Sequence, residues 1–230
     1  MKAYIHKISA SDGIDCDLKA IVPDAMMRRR MSRIVRDGVI AATVCAGECQ
    51  LDAIITATAY GCLADSEKFL RTLLDSNEEL LSPTPFIQST FNTIGATIAL
   101  LRQDHCYNIT YAHGSASFST ALLDAMMLIE EHEALHVLVG AIEELTPTLR
   151  ILLERMRVDL IPPQGGALFF LLSAEEAGAC AEVWVDSINT SMQRSYSDPL
   201  ASAWNLYNAI DNHHCGALTI GNLNLEVRCF

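Results

Sequence analysis

Short apolar runs return along this chain between stretches whose apolar residues recur at helical spacing, and that alternation admits few folds. Three runs are the clearest: Asp52–Ala59 (DAIITATA), His136–Gly140 (HVLVG) and Ala167–Leu172 (ALFFLL), the last opened by Gly165 and Gly166. They are rich in β-branched or aromatic residues and show little polar alternation, so they read as strands buried on both faces. Tyr4–Ile8, Asn108–Ala112, Glu182–Ser187 and two pieces of Leu218–Val227 around Gly221 add shorter strands. Between them, Asp24–Ala46 reads as one helix, with Met26, Met27, Ile34, Val35, Val39 and Ile40 in phase. Further helices are expected at Glu67–Leu74 after Ser66, at Asn92–Leu101, at Ala174–Ala181 and at Leu200–Ile210 after Pro199. Ser117–Glu131 carries a stripe of Phe118, Ala121, Leu122, Ala125, Met126 and Ile129 that a core would bury. Ser82–Pro85 (SPTP) reads as a loop, since neither proline suits a helix interior. The class is α/β, a layered sheet with helices, in one domain over residues 1–230.

Composition narrows the function classes. Half of the 230 residues are apolar, which suits a well-buried core. With 28 acidic against 16 basic residues the formal net charge is -12, which disfavours nucleic acid and anionic membranes as partners. No apolar run reaches the ~20 residues of a membrane span. The eight cysteines are irregularly spaced, and the start (MKAYIHKISA) lacks an apolar signal region. A cytoplasmic chain with reduced thiols is therefore expected. His213, His214 and Cys215 cluster late, but no second pair completes a zinc set, and no metal is expected.

Five segments, in order, resemble the N-terminal half of β-ketoacyl synthases of the thiolase-like superfamily. They are Asp52–Leu70, Ser82–Leu100 (SPTPFIQSTFNTIGATIAL), Tyr107–Ala125 (YNITYAHGSASFSTALLDA), His136–Glu144 (HVLVGAIEE) and Gly165–Val185. The likeness covers about residues 26 to 190. Within the superfamily, SPTPFIQST, FNTIG and SFSTALLDA resemble the short, chain-length-factor-like proteins of aryl polyene pathways. The resemblance implies a thiolase-like fold, N-terminal half only, with a mixed central sheet covered by helices. It implies a dimer that pairs central strands. It places Phe86, Gln88, Thr90, Phe91, Asn92 and Phe118 at a subunit interface or acyl tunnel, with core packing as the alternative. No cofactor is expected beyond the acyl-phosphopantetheine of an acyl carrier protein, an indirect substrate.

The departures matter as much. Such an enzyme needs a cysteine at the tip of the turn before the buried helix, where the helix N-terminus and backbone N–H groups activate it. Aligned through the strand, that place falls to His113; aligned back from the helix, it falls to Ser115. The resemblance locates the family's catalytic histidines and lysine in its second half, which aligns with nothing here. The reading is a non-catalytic subunit that pairs with a full-length ketosynthase, in type II fatty acid or polyketide (aryl polyene-like) biosynthesis. The carrier protein would dock mainly on that partner. Two alternatives stay open: an acyltransferase or thioesterase using Ser115, and a homodimeric acyl-binding protein. Ser115 and Ser117 can also be read simply as caps of the following helix. Arg28, Arg29, Arg30, Arg33 and Arg36 read either as a docking patch for an acidic carrier or as a face paired with the chain's own acids. Glu143 and Glu144 read as scaffold.

Overall fold

The computed structural model describes residues 1–79, 81–158, 165–189 and 199–230. Its elements run β1 (Lys2–Ala10), α1 (Leu18–Ile21), α2 (Ala25–Arg30), α3 (Arg33–Ala46), β2 (Ala53–Ala57), α4 (Leu63–Asp75), α5 (Pro83–Gln88) and α6 (Thr93–Arg102). Then come β3 (Tyr107–Tyr111), a 3-10 turn at Gly114–Ala116, α7 (Ser117–Glu130), β4 (His136–Glu143), α8 (Pro147–Arg155), β5 (Gly166–Ser173), β6 (Ala181–Ile188), α9 (Pro199–Asp211), β7 (Gly216–Ile220) and β8 (Leu223–Cys229).

The strands form one mixed sheet in the order β3-β2-β4-β5-β1-β6-β8-β7. β3, β2 and β4 are parallel neighbours; every other pairing is antiparallel. The doubly buried reading of the apolar runs holds residue by residue. Ile55, Val137, Val139, Leu168, Phe170 and Leu172 face the layer that holds Phe118, Leu122 and Met126 of α7 with Leu206 of α9. Ile54, Leu138, Ile142, Phe169 and Leu171 face the other layer, with Ile34, Val35 and Val39 of α3 and Ile98 of α6. Period-two side-chain geometry sends alternate residues to the two faces. Gly140 shows how tightly the sheet is filled. It lies opposite Phe169, and a Cβ built there would stand 2.2 Å from the Phe169 ring.

Four details depart from the sequence reading. The helix expected over 24–46 is two. Asp24 caps α2 by accepting from the N–H groups of Met26 and Met27, and the chain turns extended at Met31 before Ser32 starts α3. The break lets Met31 enter the core, 5% exposed, which one straight helix would not allow. The SPTP stretch is the start of helix α5. Pro83 takes the first helical position, where its missing N–H costs nothing, and Pro85 remains within the first turn. No helix forms at 174–181. β5 and β6 flank β1 on opposite sides, so these few residues must cross the end of β1. They do so by turns, anchored where the Cys180 N–H donates to Ile5 O. α8 is an element with no counterpart in the sequence reading. Thr146 accepts from the Leu149 N–H and Pro147 opens it. No helix among the described residues is long and apolar enough to cross a membrane.

Candidate functional site

The strand, turn and buried helix expected at 107–125 are all present. β3 ends at Tyr111, the chain passes through exposed Ala112 and His113, and the 3-10 turn delivers it into α7. Ser117, fully buried, pins the turn. It accepts from the His113 N–H at 2.8 Å, and its hydroxyl lies 2.7 Å from Gly114 O and 2.9 Å from Thr58 O. The capping alternative is not realised: Ala116 is the N-cap of α7, no side chain caps that helix, and Ser117, its first residue, ties down the turn before it instead. Ser115 is half-buried, and among the described residues no side chain takes or gives its hydroxyl proton. The geometry therefore joins Ser115 to no base. His113 is held by its backbone, with its ring in solvent.

The floor behind the turn is rigid. Thr58 Oγ1 donates to Glu143 Oε1 at 2.7 Å, and the Ala59 N–H donates to the same oxygen, tying the end of β2 to the end of β4. Glu144 Oε2 accepts from the Ala64 N–H at 2.8 Å, at the first turn of α4. Burial pushes the Glu144 carboxyl above its usual range, and the Ala64 N–H pulls it back. Both glutamates bridge elements, which is the scaffold role expected of them.

The remaining site residues divide. Phe86, Thr90, Phe91 and Asn92 are exposed and Gln88 is half-buried; Phe86 and Gln88 belong to α5 and the other three to the turn before α6. Phe86 packs beside Phe69 of α4 with ring centroids 5.3 Å apart. Phe91 leans over Gly61, in the turn after β2. Thr90 and Thr93 share a hydroxyl hydrogen bond of 2.9 Å. Gln88, Thr90 and Asn92, with Met27, Ile87 and Leu100, line a cleft of about 620 Å³. Phe118 does not join them. It is 0% exposed and packs on Phe170 at 5.5 Å, inside the core between α7 and the sheet. That is the buried face of α7 on which its stripe placed it.

A second, polar cleft of about 460 Å³ lies beside the first, and the sequence reading did not anticipate it. Arg29, Arg30, Ser32, Asp65, Lys68 and Gln88 line it. Burial raises the Asp65 carboxyl, with Ser32 and Lys68 acting in the opposite sense. Asp65 Oδ2 and Ser32 Oγ are both buried and have no well-formed hydrogen bond. The arginine run is spent unevenly. Arg28 Nη1 donates to Pro23 O at 2.7 Å, Arg36 Nη2 donates to Arg28 O at 3.3 Å, and Arg33 pairs with Asp37 at 3.5 Å. Arg29 and Arg30 pair with no carboxylate among the described residues.

The model of the family described as "Beta-ketoacyl synthase, N-terminal domain" matches residues 6–215. The chain belongs to that family. No curated protein matches its sequence significantly. Among solved structures it is similar to a chain in the complex of the ketosynthase ApeO with its chain length factor ApeC from Xenorhabdus doucetiae. The TM-score is 0.72 at 17% identity, over 99% of this chain and 99% of that one. It is also similar to a chain of the ishigamide ketosynthase/chain length factor, with TM-score 0.64, 16% identity, 81% of this chain and 68% of that one. A β-ketoacyl synthase from Burkholderia phymatum STM815 gives TM-score 0.65 at 14% identity, over 96% of this chain and 75% of that one. At such identities the agreement is one of fold, and it is the thiolase-like fold implied by the sequence.

Proposed function

We propose that this chain is a non-catalytic, chain-length-factor-type subunit that pairs with a full-length β-ketoacyl-acyl-carrier-protein synthase in the cytoplasm. The observation that carries this reading is the turn before α7. Its strand, 3-10 turn and buried helix are fully built, yet the turn holds no thiol, and among the described residues Ser115 is hydrogen-bonded to no base. The partner would bring the reactive cysteine and the histidines of the condensation. Type II assembly of a fatty acid or polyketide, of aryl polyene type, is the pathway class the family supports. An acyl chain on the phosphopantetheine of a carrier protein docked mainly on the partner would be the indirect substrate.

The β3 edge offers the seat. Among the described residues β3 pairs with β2 alone, which leaves its outer edge able to accept a strand. Ile87 and Leu100, at the apolar cleft, Phe86 and Phe91 of the α5–α6 segment, and Tyr107 of β3 itself are exposed at 45 to 68%. Gln88, Thr90 and Asn92 would then bound the growing chain, since they line the neighbouring apolar cleft.

Native mass of the chain alone and co-expressed with a full-length β-ketoacyl synthase from the same genome tests the pairing. The expected result is a one-to-one complex whose condensing activity needs both chains. Thr90→Tyr should leave the complex intact and shorten its products. A homodimer indifferent to the ketosynthase, or an acyl adduct on Ser115 of the isolated chain, would overturn the proposal.

A further inference from the structure

Three thiols meet at one corner of the sheet, remote from the β3 edge. Cys180 precedes β6, Cys215 precedes β7, and Cys229 ends β8. The register sets Ala181 opposite Cys229 and Gly216 opposite Val227, so all three cysteines fall at the same end of these strands. Their contacts differ. Cys180 Sγ donates to Ile5 O at 3.1 Å and is held against β1. Cys229 Sγ lies 3.7 Å from Ala209 O, beneath α9. The Cys229 backbone N–H donates to Cys215 Sγ at 3.2 Å, and Cys215 is exposed. The Cys215 sulfur thus already touches the Cys229 backbone, and the two thiols are close enough for one to act on the protonation of the other.

We propose that Cys215 and Cys229 form a redox pair that hydrogen peroxide closes into an intramolecular disulfide at the base of the C-terminal hairpin. The Cys215 thiolate attacks one peroxide oxygen. The O–O bond breaks, an S–O bond forms, and the departing hydroxide takes up the proton released by Cys215 as water. The Cys229 thiolate then attacks the sulfenic sulfur. The S–S bond forms, the S–O bond breaks, and hydroxide leaves to become a second water with the Cys229 proton. Two thiols give up two electrons and one peroxide accepts them. Burial, reinforced by the neighbouring Cys215 thiol, pushes Cys229 up to about 11. That makes Cys229 the resolving thiol, while exposed Cys215 meets the oxidant first.

The other end of this hairpin rests on α7. Ser119 Oγ donates to Asn222 Oδ1 at 2.7 Å, and a Cβ on Gly221 would stand 2.6 Å from Ser119 Oγ. A clasp at the base therefore fixes the two strands whose tip bears on the first turn of α7, behind residues 113–116.

The test uses the whole chain. It is exposed to hydrogen peroxide, blocked with N-ethylmaleimide and digested with trypsin. Cleavage after Arg228 frees a Cys229–Phe230 dipeptide unless a disulfide retains it on the peptide that carries Cys215. The expected result is retention of the dipeptide and its release by dithiothreitol. Cys229→Ser should leave Cys215 as a sulfenic acid that dimedone traps. Over-oxidation of Cys215 in the native chain without retention, or a disulfide joining Cys180 to Cys229 instead, would overturn the proposal. The native digest gives its answer without relying on any variant to fold.

Discussion

At one end of the sheet, β3 has no outer strand partner among the described residues, and Phe86, Ile87, Phe91 and Leu100 of the α5–α6 segment, with Tyr107 of β3, are exposed. At the other end, β7 likewise has no outer strand partner among the described residues, but there Gly216, Ala217 and Thr219 are the exposed residues, while Ile220 is buried and Leu218 half-buried. The same sheet thus closes one edge with small and polar groups and dresses the other in aromatic and aliphatic ones. Single exposed apolar residues are ordinary, but a cluster beside a free edge is a different matter. Each 100 Å² of such surface taken from water is worth about 2.5 kcal/mol. The difference teaches that the chain's two ends are suited to different surroundings: β7 to solvent, β3 to cover.

The most forceful way to break this comparison is to charge each edge in turn. Ile87→Glu with Phe91→Glu should cost association with the ketosynthase on the order of 5 kcal/mol, a loss of roughly a thousandfold or more. Co-purification would then fail while circular dichroism of the chain stays unchanged. Thr219→Glu, on the β7 edge, should leave the complex as it was. Equal losses from both edges would remove the distinction altogether.

A second pair separates cover from core within the residues first grouped as one site. Phe118→Ala should lower the stability of the isolated chain by about 3–5 kcal/mol, since it opens a cavity against Phe170. Phe86→Ala, at 56% exposure, should cost under about 1 kcal/mol in the same urea titration. In the complex the order should narrow, because Phe86 is then covered.

That grouping marks where the sequence was legible and where it was not. The doubly buried strands were readable because β-branched and aromatic runs have no other stable place: β2 lies within its run, and β4 and β5 contain theirs and extend past them. The buried face of α7 was readable from its stripe, and that stripe already held Phe118. The family's likeness assigned Phe118 to an acyl tunnel or interface; in the chain by itself it is buried against Phe170. The break at Met31 and Ser32 was not legible, since the apolar period runs on through it and only the position of the sheet beneath requires the turn. Pro83 and Pro85 were judged by the rule for helix interiors, although a helix start tolerates both. The polar cleft drew on residues from α2, α4 and α5, far apart in the chain, and no local pattern announces such a meeting. The same holds for Cys215 and Cys229, which only the β7–β8 register brings together.

The smallest effect lies in that polar cleft, at the β3 end. Burial raises the Asp65 carboxyl above its ordinary value. A folded chain with a raised carboxyl binds its proton more tightly than the unfolded chain does. The contribution of Asp65 to stability is therefore most favourable below about pH 4, the unfolded value, and declines as pH rises through the folded one. Asp65→Asn does not titrate. Its advantage over the native chain should be nil at acid pH, grow through that window and level off at neutral pH. There the melting temperature should rise by about 1–2 °C. A variant less stable than the native chain at pH 7 would mean that Lys68 or Ser32 already compensates the charge. The same measurement on the complex sharpens the contrast between the two ends. If the partner covers this side and supplies a donor to Asp65, the asparagine should lose its advantage there, because the carboxylate left without a good hydrogen bond in the free chain would have gained one.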